Sequence, residues 1–437
     1  MDNKKTGFHI SSGRLIDPLS CRDEIGDLYV AGGKIVDPTD FPADFQWLRI
    51  DAQGLIIAPG LIDMHVHLRE PGETRKETIR TGTLAAAAGG ITTVVAMPNT
   101  IPPTDNPDTI TWIRKKAEKE AVVKVYPTGC ITEGRRGEKL SPFQSLVQAG
   151  AIALSDDGNC VQNSRMMYLA MEFASILNVP ILDHCEDTAL SNGGVMNEGY
   201  WSTLLGLPGW PSVAEEIMVS RDILLCEKTQ ARIHLQHLTT EGSVRLLREA
   251  KKRGIPISAE VCPHHIALTE SALRDYDTRF KMNPPLRGQK DREALIEAIV
   301  DGTIEVIASD HAPHTVFEKE VEFEKAPFGV VGLETLLAVC LKELYFSKKM
   351  SLLDLFSRLT LGPSRVLGLP QPSLDYGSSA DLILLDLGAE WTVEASQFLS
   401  KGRNTPFEGL SLKGKVVLTM VEGQIVWKME GKDLVVK

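Results

Sequence analysis

Two histidines one residue apart, His65 and His67, sit in the stretch Leu61-Ile62-Asp63-Met64-His65-Val66-His67-Leu68-Arg69-Glu70-Pro71-Gly72. An apolar lead-in over residues 54–60 reads as the start of a strand, and on a strand residues i and i+2 share a face. Two imidazoles converging from one rigid strand end make half of a metal site, with borderline-soft nitrogens that suit Zn²⁺. Arg69 repeats the same parity and brings a planar, two-pronged cation beside that site. Pro71-Gly72 then turns the chain away. Taken alone, this pattern fits a buried strand with hydrogen-bonded histidines equally well, so the rest of the chain must decide.

Further ligand-type residues follow apolar runs in Ser155-Asp156-Asp157-Gly158, Asp183-His184-Cys185-Glu186, Gln236-His237-Leu238 and Ser309-Asp310-His311. Parity favours Asp157 over Asp156, because Ala153 and Ser155 share its face, and Asp156 becomes a supporting carboxylate. His234 and His237 fall on opposite faces of one strand; His237 lies at its productive end, and His234 is a packed residue. His264 and His265 line or support the site, and His9 is a bystander. No cysteine sits where a metal needs one, so small buried thiols are expected.

The elements that must carry these groups alternate. Apolar strand-like runs recur at residues 91–97, 122–126, 151–154, 180–184, 232–238, 256–262 and 304–309. Helical patterns at 108–120, 164–178, 212–229 and 241–254 separate several of them. Thr74-x-x-Glu77 reads as a capping box opening a helix over 76–88, closed by Gly89-Gly90. With the His65 strand, this predicts a TIM (β/α)8 barrel, whose chemistry sits at the C-terminal strand ends. A doubly wound sheet is the structural alternative. Short β-like pieces before residue 57, and again after Gly368, predict a small β-sandwich domain built from residues 1–57 and 370–437 around a barrel of 58–369.

With 437 residues, 43% of them hydrophobic, one barrel plus a small domain can each bury a core. A net charge of −11 argues against a nucleic-acid surface, so an anionic substrate needs a metal or an arginine to receive it. Seven scattered cysteines without a C-x-x-C pair read as reduced thiols. Residues 1–5 lack the apolar run of a leader, and no stretch is apolar enough to span a bilayer. The expectation is a soluble cytoplasmic enzyme acting on a small molecule.

Together the motifs resemble the amidohydrolase superfamily and, within it, the stand-alone bacterial dihydroorotase family. The resemblance spans essentially the whole chain. It rests on His65 to Gly72, Ala96-Met97-Pro98-Asn99-Thr100, Ser155 to Gly158, Lys281-Met282-Asn283-Pro284-Pro285-Leu286-Arg287 and Ser309-Asp310-His311-Ala312-Pro313-His314. Pro327-Phe328-Gly329 and Gly332-Leu333-Glu334 match the family's late loop.

The resemblance implies two Zn²⁺ ions, one on His65, His67 and Asp310, the other on His184 and His237, with Asp157 bridging. Many relatives bridge with a carboxylated lysine, but no lysine occurs between Lys139 and Lys228. It further implies reversible cyclisation of N-carbamoyl-L-aspartate to L-dihydroorotate, with Asp310 as general base and then acid. Substrate contacts are implied for His67 and Leu68, for Arg69, Asn99 and His314 on the carboxylate, and for Asn283, Phe328 and Gly329 on the ring. A homodimer is expected, and association with aspartate transcarbamoylase is open. The rival functions are another cyclic-amide hydrolase, of hydantoinase or allantoinase type, and an inactive partner of aspartate transcarbamoylase.

Overall fold

β-Branched and aliphatic runs at both chain ends pair with each other in one sheet. The computed structural model describes residues 6–431 and 435–436; residues 1–5, read above as lacking a leader, lie outside the described residues. One nine-stranded sheet runs in the order Gln424–Lys428, Ser411–Val421, Leu382–Thr392, Ile56–Pro59, Thr6–Asp17, Arg22–Ala31, Lys34–Ile35. It branches at Thr6–Asp17, whose first half pairs in parallel with Gln46–Asp51 and whose second half pairs with Ile56–Pro59. Val435–Val436 adds to Gln46–Asp51. Ile10, Leu15, Ile57, Leu382, Leu384 and Leu418 from both ends share one apolar cluster. Ile56–Pro59 pairs with Leu382–Thr392 through Pro59, so this strand crosses the expected division after residue 57.

The middle of the chain alternates strand and helix, with strands buried on both faces, as parallel strands covered by helices must be. Leu61–Val66, Ile91–Ala96 and Lys124–Pro127 form one parallel sheet. Ile181–Asp183, Ile233–Leu235, Ile257–Val261 and Val306–Ile307 form another. Residues 151–154, expected as a full strand, contribute only parallel bridges from Leu154 to Gly129 and to Ile181. At the other junction Val66 bridges His311 in parallel, and the His67 N–H donates to the His311 carbonyl at 2.9 Å.

Helix bounds follow the caps. Asn106, Asn163 and Thr240 cap Pro107–Glu120, Ser164–Leu177 and Glu241–Lys252 with side-chain acceptors. The first helix is Ile79–Ala88, and its capping box is Thr78 with Thr81, not Thr74 with Glu77. Glu77 is buried against His311 and Ser400 and supports that box from beside it, accepting from the Thr78 N–H at 3.3 Å and from the Thr81 hydroxyl. No helix among the described residues is long and apolar enough to cross a membrane.

Candidate metal centre and substrate pocket

At the C-terminal ends of the parallel strands the expected ligand residues converge. His65 lies in Leu61–Val66 and His67 just beyond it; His184 follows Ile181–Asp183, His237 follows Ile233–Leu235, and Asp310 follows Val306–Ile307. Asp157 follows the Leu154 bridges. All six are buried. Asp157 Oδ1 lies 3.2 Å from His65 Nε2, 3.8 Å from His237 Nε2 and 3.9 Å from His184 Nδ1, while Oδ2 lies 3.5 Å from His67 Nε2. Asp310 Oδ1 is 3.2 Å from His67 Nε2 and 3.5 Å from His65 Nε2. One carboxylate thus faces four imidazoles and a second faces two of them.

The neighbouring Asp156 points elsewhere. It accepts from the Ile131 and Thr132 N–H groups at 2.9 and 3.1 Å and from the Thr132 hydroxyl. His234 stays below the site, bonded to Ser258 and Glu260. His264 and His265 are buried behind the pocket, with His265 Nε2 3.0 Å from the Pro284 carbonyl.

The outer nitrogens of the histidines are fixed by side chains that strand parity alone did not single out. Glu260 Oε1 lies 2.6 Å from His65 Nδ1, and its other oxygen lies 3.2 Å from His234. Asn99 Oδ1 holds His67 Nδ1 at 2.8 Å, and Glu186 holds His184 Nε2 at 2.8 Å. Such partners set the tautomer and aim the free nitrogen inward. A carboxylate inside the otherwise apolar Ile257-Ser258-Ala259-Glu260-Val261 was the available signal for Glu260.

Electrostatics follow from the crowding. Burial alone would raise the Asp157 and Asp310 carboxyls, but the facing histidines hold both well below the usual carboxylate range. Burial disfavours a charged His65, yet Asp157, Asp310 and Glu260 together raise it well above its ordinary value. The His65 Nε2 and His237 Nδ1 atoms are buried without a hydrogen-bond partner. Asp310, His237 and Arg69 have φ of +46°, +31° and +59°, the left-handed region that non-glycine residues enter at a cost of about 1–3 kcal/mol.

A cavity of about 190 Å³ opens over this centre. It is lined by His67, Asp157, His184, His237 and Asp310, and also by Arg69, Asn99, Asn283, His314, Phe328 and Gly329. The strand ends at Val66, and the positive φ of Arg69 breaks the extended alternation. Arg69 nevertheless reaches the cavity, its Nε donating to the Pro313 carbonyl at 3.2 Å. Leu68 differs from expectation: it packs in the apolar core against Gly82 and does not line the cavity. His314 Nε2 donates to the Phe328 carbonyl at 2.8 Å, and burial, with Arg69 nearby, pushes the ring down to about 3. It is therefore neutral and already engaged. Asn283 Nδ2 donates to Glu186 at 3.3 Å and leaves its Oδ1 buried and unpartnered.

The segment carrying Phe328 and Gly329 is tethered by two buried lysines. Lys319 Nζ donates to the carbonyls of Lys281, Pro327 and Gly329 at 3.2, 2.9 and 3.0 Å. Lys281 Nζ donates to those of Phe323 and Glu324 at 2.8 and 2.9 Å. The charged residues 317–325 are thus held from inside at these points. Asn404 adds a third tie: Nδ2 donates to the Ala312 and Gly329 carbonyls and Oδ1 accepts from the His314 N–H.

The Dihydro-orotase-like family model matches residues 54–243. The chain is 49% identical to a dihydroorotase of Pelotomaculum thermopropionicum, covering 95% of this chain and 97% of that one. It is 46% identical to a dihydroorotase of Endomicrobium trichonymphae over 97% of this chain and all of that one. Among solved structures, L-hydantoinase (dihydropyrimidinase) from Arthrobacter aurescens superposes with a TM-score of 0.86 at 27% identity, covering 96% of both chains.

Proposed function

The chain belongs to the dihydroorotase family, and from that premise we propose that it interconverts N-carbamoyl-L-aspartate and L-dihydroorotate in pyrimidine synthesis. The observation that carries this reading is one pocket with four histidines, two carboxylates and an arginine fork. The bridges at Leu154 and His311 support a closed (β/α)8 barrel, with the site at its C-terminal face.

The donor set fits a pair of zinc ions. Imidazoles and carboxylates are zinc's usual protein donors, and two buried ring nitrogens here make no hydrogen bond. His65, His67 and Asp310 would hold one ion and His184 and His237 the other, with Asp157 between them. When bound, such a pair would activate a water and polarise the ring amide carbonyl.

The chain's own residues do the rest. Arg69 receives the ring carboxylate through its guanidinium, a contact the −11 surface cannot replace. The free Oδ1 of Asn283 accepts a ring N–H, and the Phe328-Gly329 backbone sets the height of the ring. Asn99 keeps Nδ2 for the carboxylate while its oxygen orients His67. Asp310 takes a proton from the attacking water at its carboxylate oxygen and returns it to the leaving ring nitrogen. Glu186 ties His184 and Asn283 together, so ligand and substrate contacts share one support.

The purified, zinc-loaded protein should turn over L-dihydroorotate and leave hydantoin and allantoin nearly untouched. Turnover of the uncarboxylated rings alone would make it a hydantoinase-type enzyme; turnover of none, with metal bound, would make it an inactive partner. A cytoplasmic setting and a homodimer go with the reading. Light scattering with and without aspartate transcarbamoylase measures self-association and that partnership.

A further inference from the structure

The strands that deliver His184 and His237 to the site have opposite ends, and these open onto a second cavity of about 320 Å³. Arg232 immediately precedes Ile233–Leu235 and His237 follows it, so the two are separated by roughly 16 Å of extended chain at ~3.3 Å per residue. Its charged lining is uneven. Arg232, Arg358 and Arg365 come from three separate segments, against a single carboxylate, Glu305.

Among the described residues none of these arginines forms an ion pair. Arg232 donates only to backbone carbonyls, including that of Val366, and to the Asn178 side-chain oxygen. Arg358 donates through Nε to the Ile299 carbonyl at 3.1 Å, which leaves both terminal amino groups without a partner. Among the described residues the Arg365 guanidinium has no hydrogen-bond partner. The nearby acids are committed elsewhere. Glu305 binds Lys251 at 2.6 Å and the Ala259 N–H at 3.2 Å; Asp301 binds Arg248 at 2.7 Å; Asp354 takes the Ser351 hydroxyl at 2.6 Å. Burial lowers the pKa of Arg232 with no acid acting against it, and that of Arg358 although Asp354, Glu305 and Asp301 offset part of the effect.

The free donors of Arg358 and Arg365, beside an Arg232 whose own donors are held by carbonyls and which adds its charge, suit a dianion with several equivalent oxygens better than a single carboxylate. The volume exceeds what a bare phosphate fills, and Ile233, Ile257 and Val366 with two prolines give apolar wall for a flat ring. We propose that this cavity binds a phosphomonoester on a small ring-bearing frame, of the class of a ribonucleoside 5′-monophosphate. It is separate from the catalytic pocket and does not depend on the reaction assigned there.

Calorimetric titration of the full-length protein with uridine and adenosine 5′-monophosphates, inorganic phosphate and uridine tests it. Both monophosphates should saturate one site per chain, phosphate should bind more weakly, and uridine should give no heat. Arg365→Glu reverses an exposed charge without disturbing packing, and Arg358→Met removes the partly buried one. Each should weaken the monophosphates at least about tenfold while melting temperature and turnover stay unchanged. Absence of saturable monophosphate binding, equal binding of uridine, or unchanged affinity in Arg365→Glu would each overturn the proposal.

Discussion

Adjacent aspartates on one strand end have opposite fates: Asp157 meets four imidazoles, and Asp156 meets two amides and a hydroxyl. A neutral amide at 157 cannot offset cationic charge at the centre of the histidine cluster, so Asp157→Asn should lose metal and activity together, whereas Asp156→Asn should keep its metal. Elemental analysis of both variants decides, and the reverse pattern would exchange their roles. Glu260→Gln should lower metal affinity about 10–100-fold by loosening the aim of His65, with the fold intact by circular dichroism. Arg69→Met should cost about 2–4 kcal/mol of transition-state binding, or ~30- to ~1000-fold in kcat/KM on dihydroorotate, and Arg69→Lys should recover part. Equal losses on dihydrouracil would reassign Arg69 to supporting the site. That the histidines and Asp157 and Asp310 would converge was legible, because strand ends and two-residue parity bring them to one place. Glu260 and Asn404 were not, because each acts through a contact hundreds or tens of residues away, and spacing does not encode that.

Strands were legible as elements because runs such as Ile91-Thr92-Thr93-Val94-Val95-Ala96 are β-branched and bounded by turns. The fourth was overread: residues 151–154 are apolar but too short to make more than bridges. Charge is a poor guide to exposure at Lys281 and Lys319: lysine is ordinarily solvent-facing, yet both are buried. An ammonium on three carbonyls replaces loop-to-loop strand pairing, and only the folded geometry shows it. Lys319→Met should therefore release the Pro327-to-Gly329 segment, raising KM for dihydroorotate more than it lowers kcat. Trypsin cleavage within residues 317–325 should accelerate. Unchanged proteolysis and KM would mean that the Asn404 tie alone holds this segment.

At the scale of the whole molecule, one titrating group reports on how the segment at residues 399–400 seats against the loop that carries Glu334. Glu334 accepts from the Leu399 and Ser400 N–H groups, and burial pushes its carboxyl from 4.5 up to about 7. A carboxyl raised on folding binds its proton more tightly in the native state. Its contribution is therefore complete below about pH 4.5 and is lost as pH rises to about 7. Urea titrations at pH 5 and pH 8 should show Glu334→Gln gaining up to about 2 kcal/mol on the wild type over that interval, discounted for partial exposure. No gain would show that this carboxyl is already ionised in the fold at pH 5. The assembly of both chain ends into a shared region was legible from two β-textured stretches, though its branched hydrogen bonding was not. That sheet also sets an order of events at the ribosome. Every residue of the catalytic pocket has emerged by Gly329, but Ile56–Pro59 still lacks the antiparallel neighbour that begins at Leu382. At ~5–20 residues per second this edge waits for tens of seconds. A nascent chain, or a fragment cut before Leu382, therefore carries its full chemistry and an open, apolar strand edge, making it a client for chaperones and a seed for aggregation rather than an enzyme.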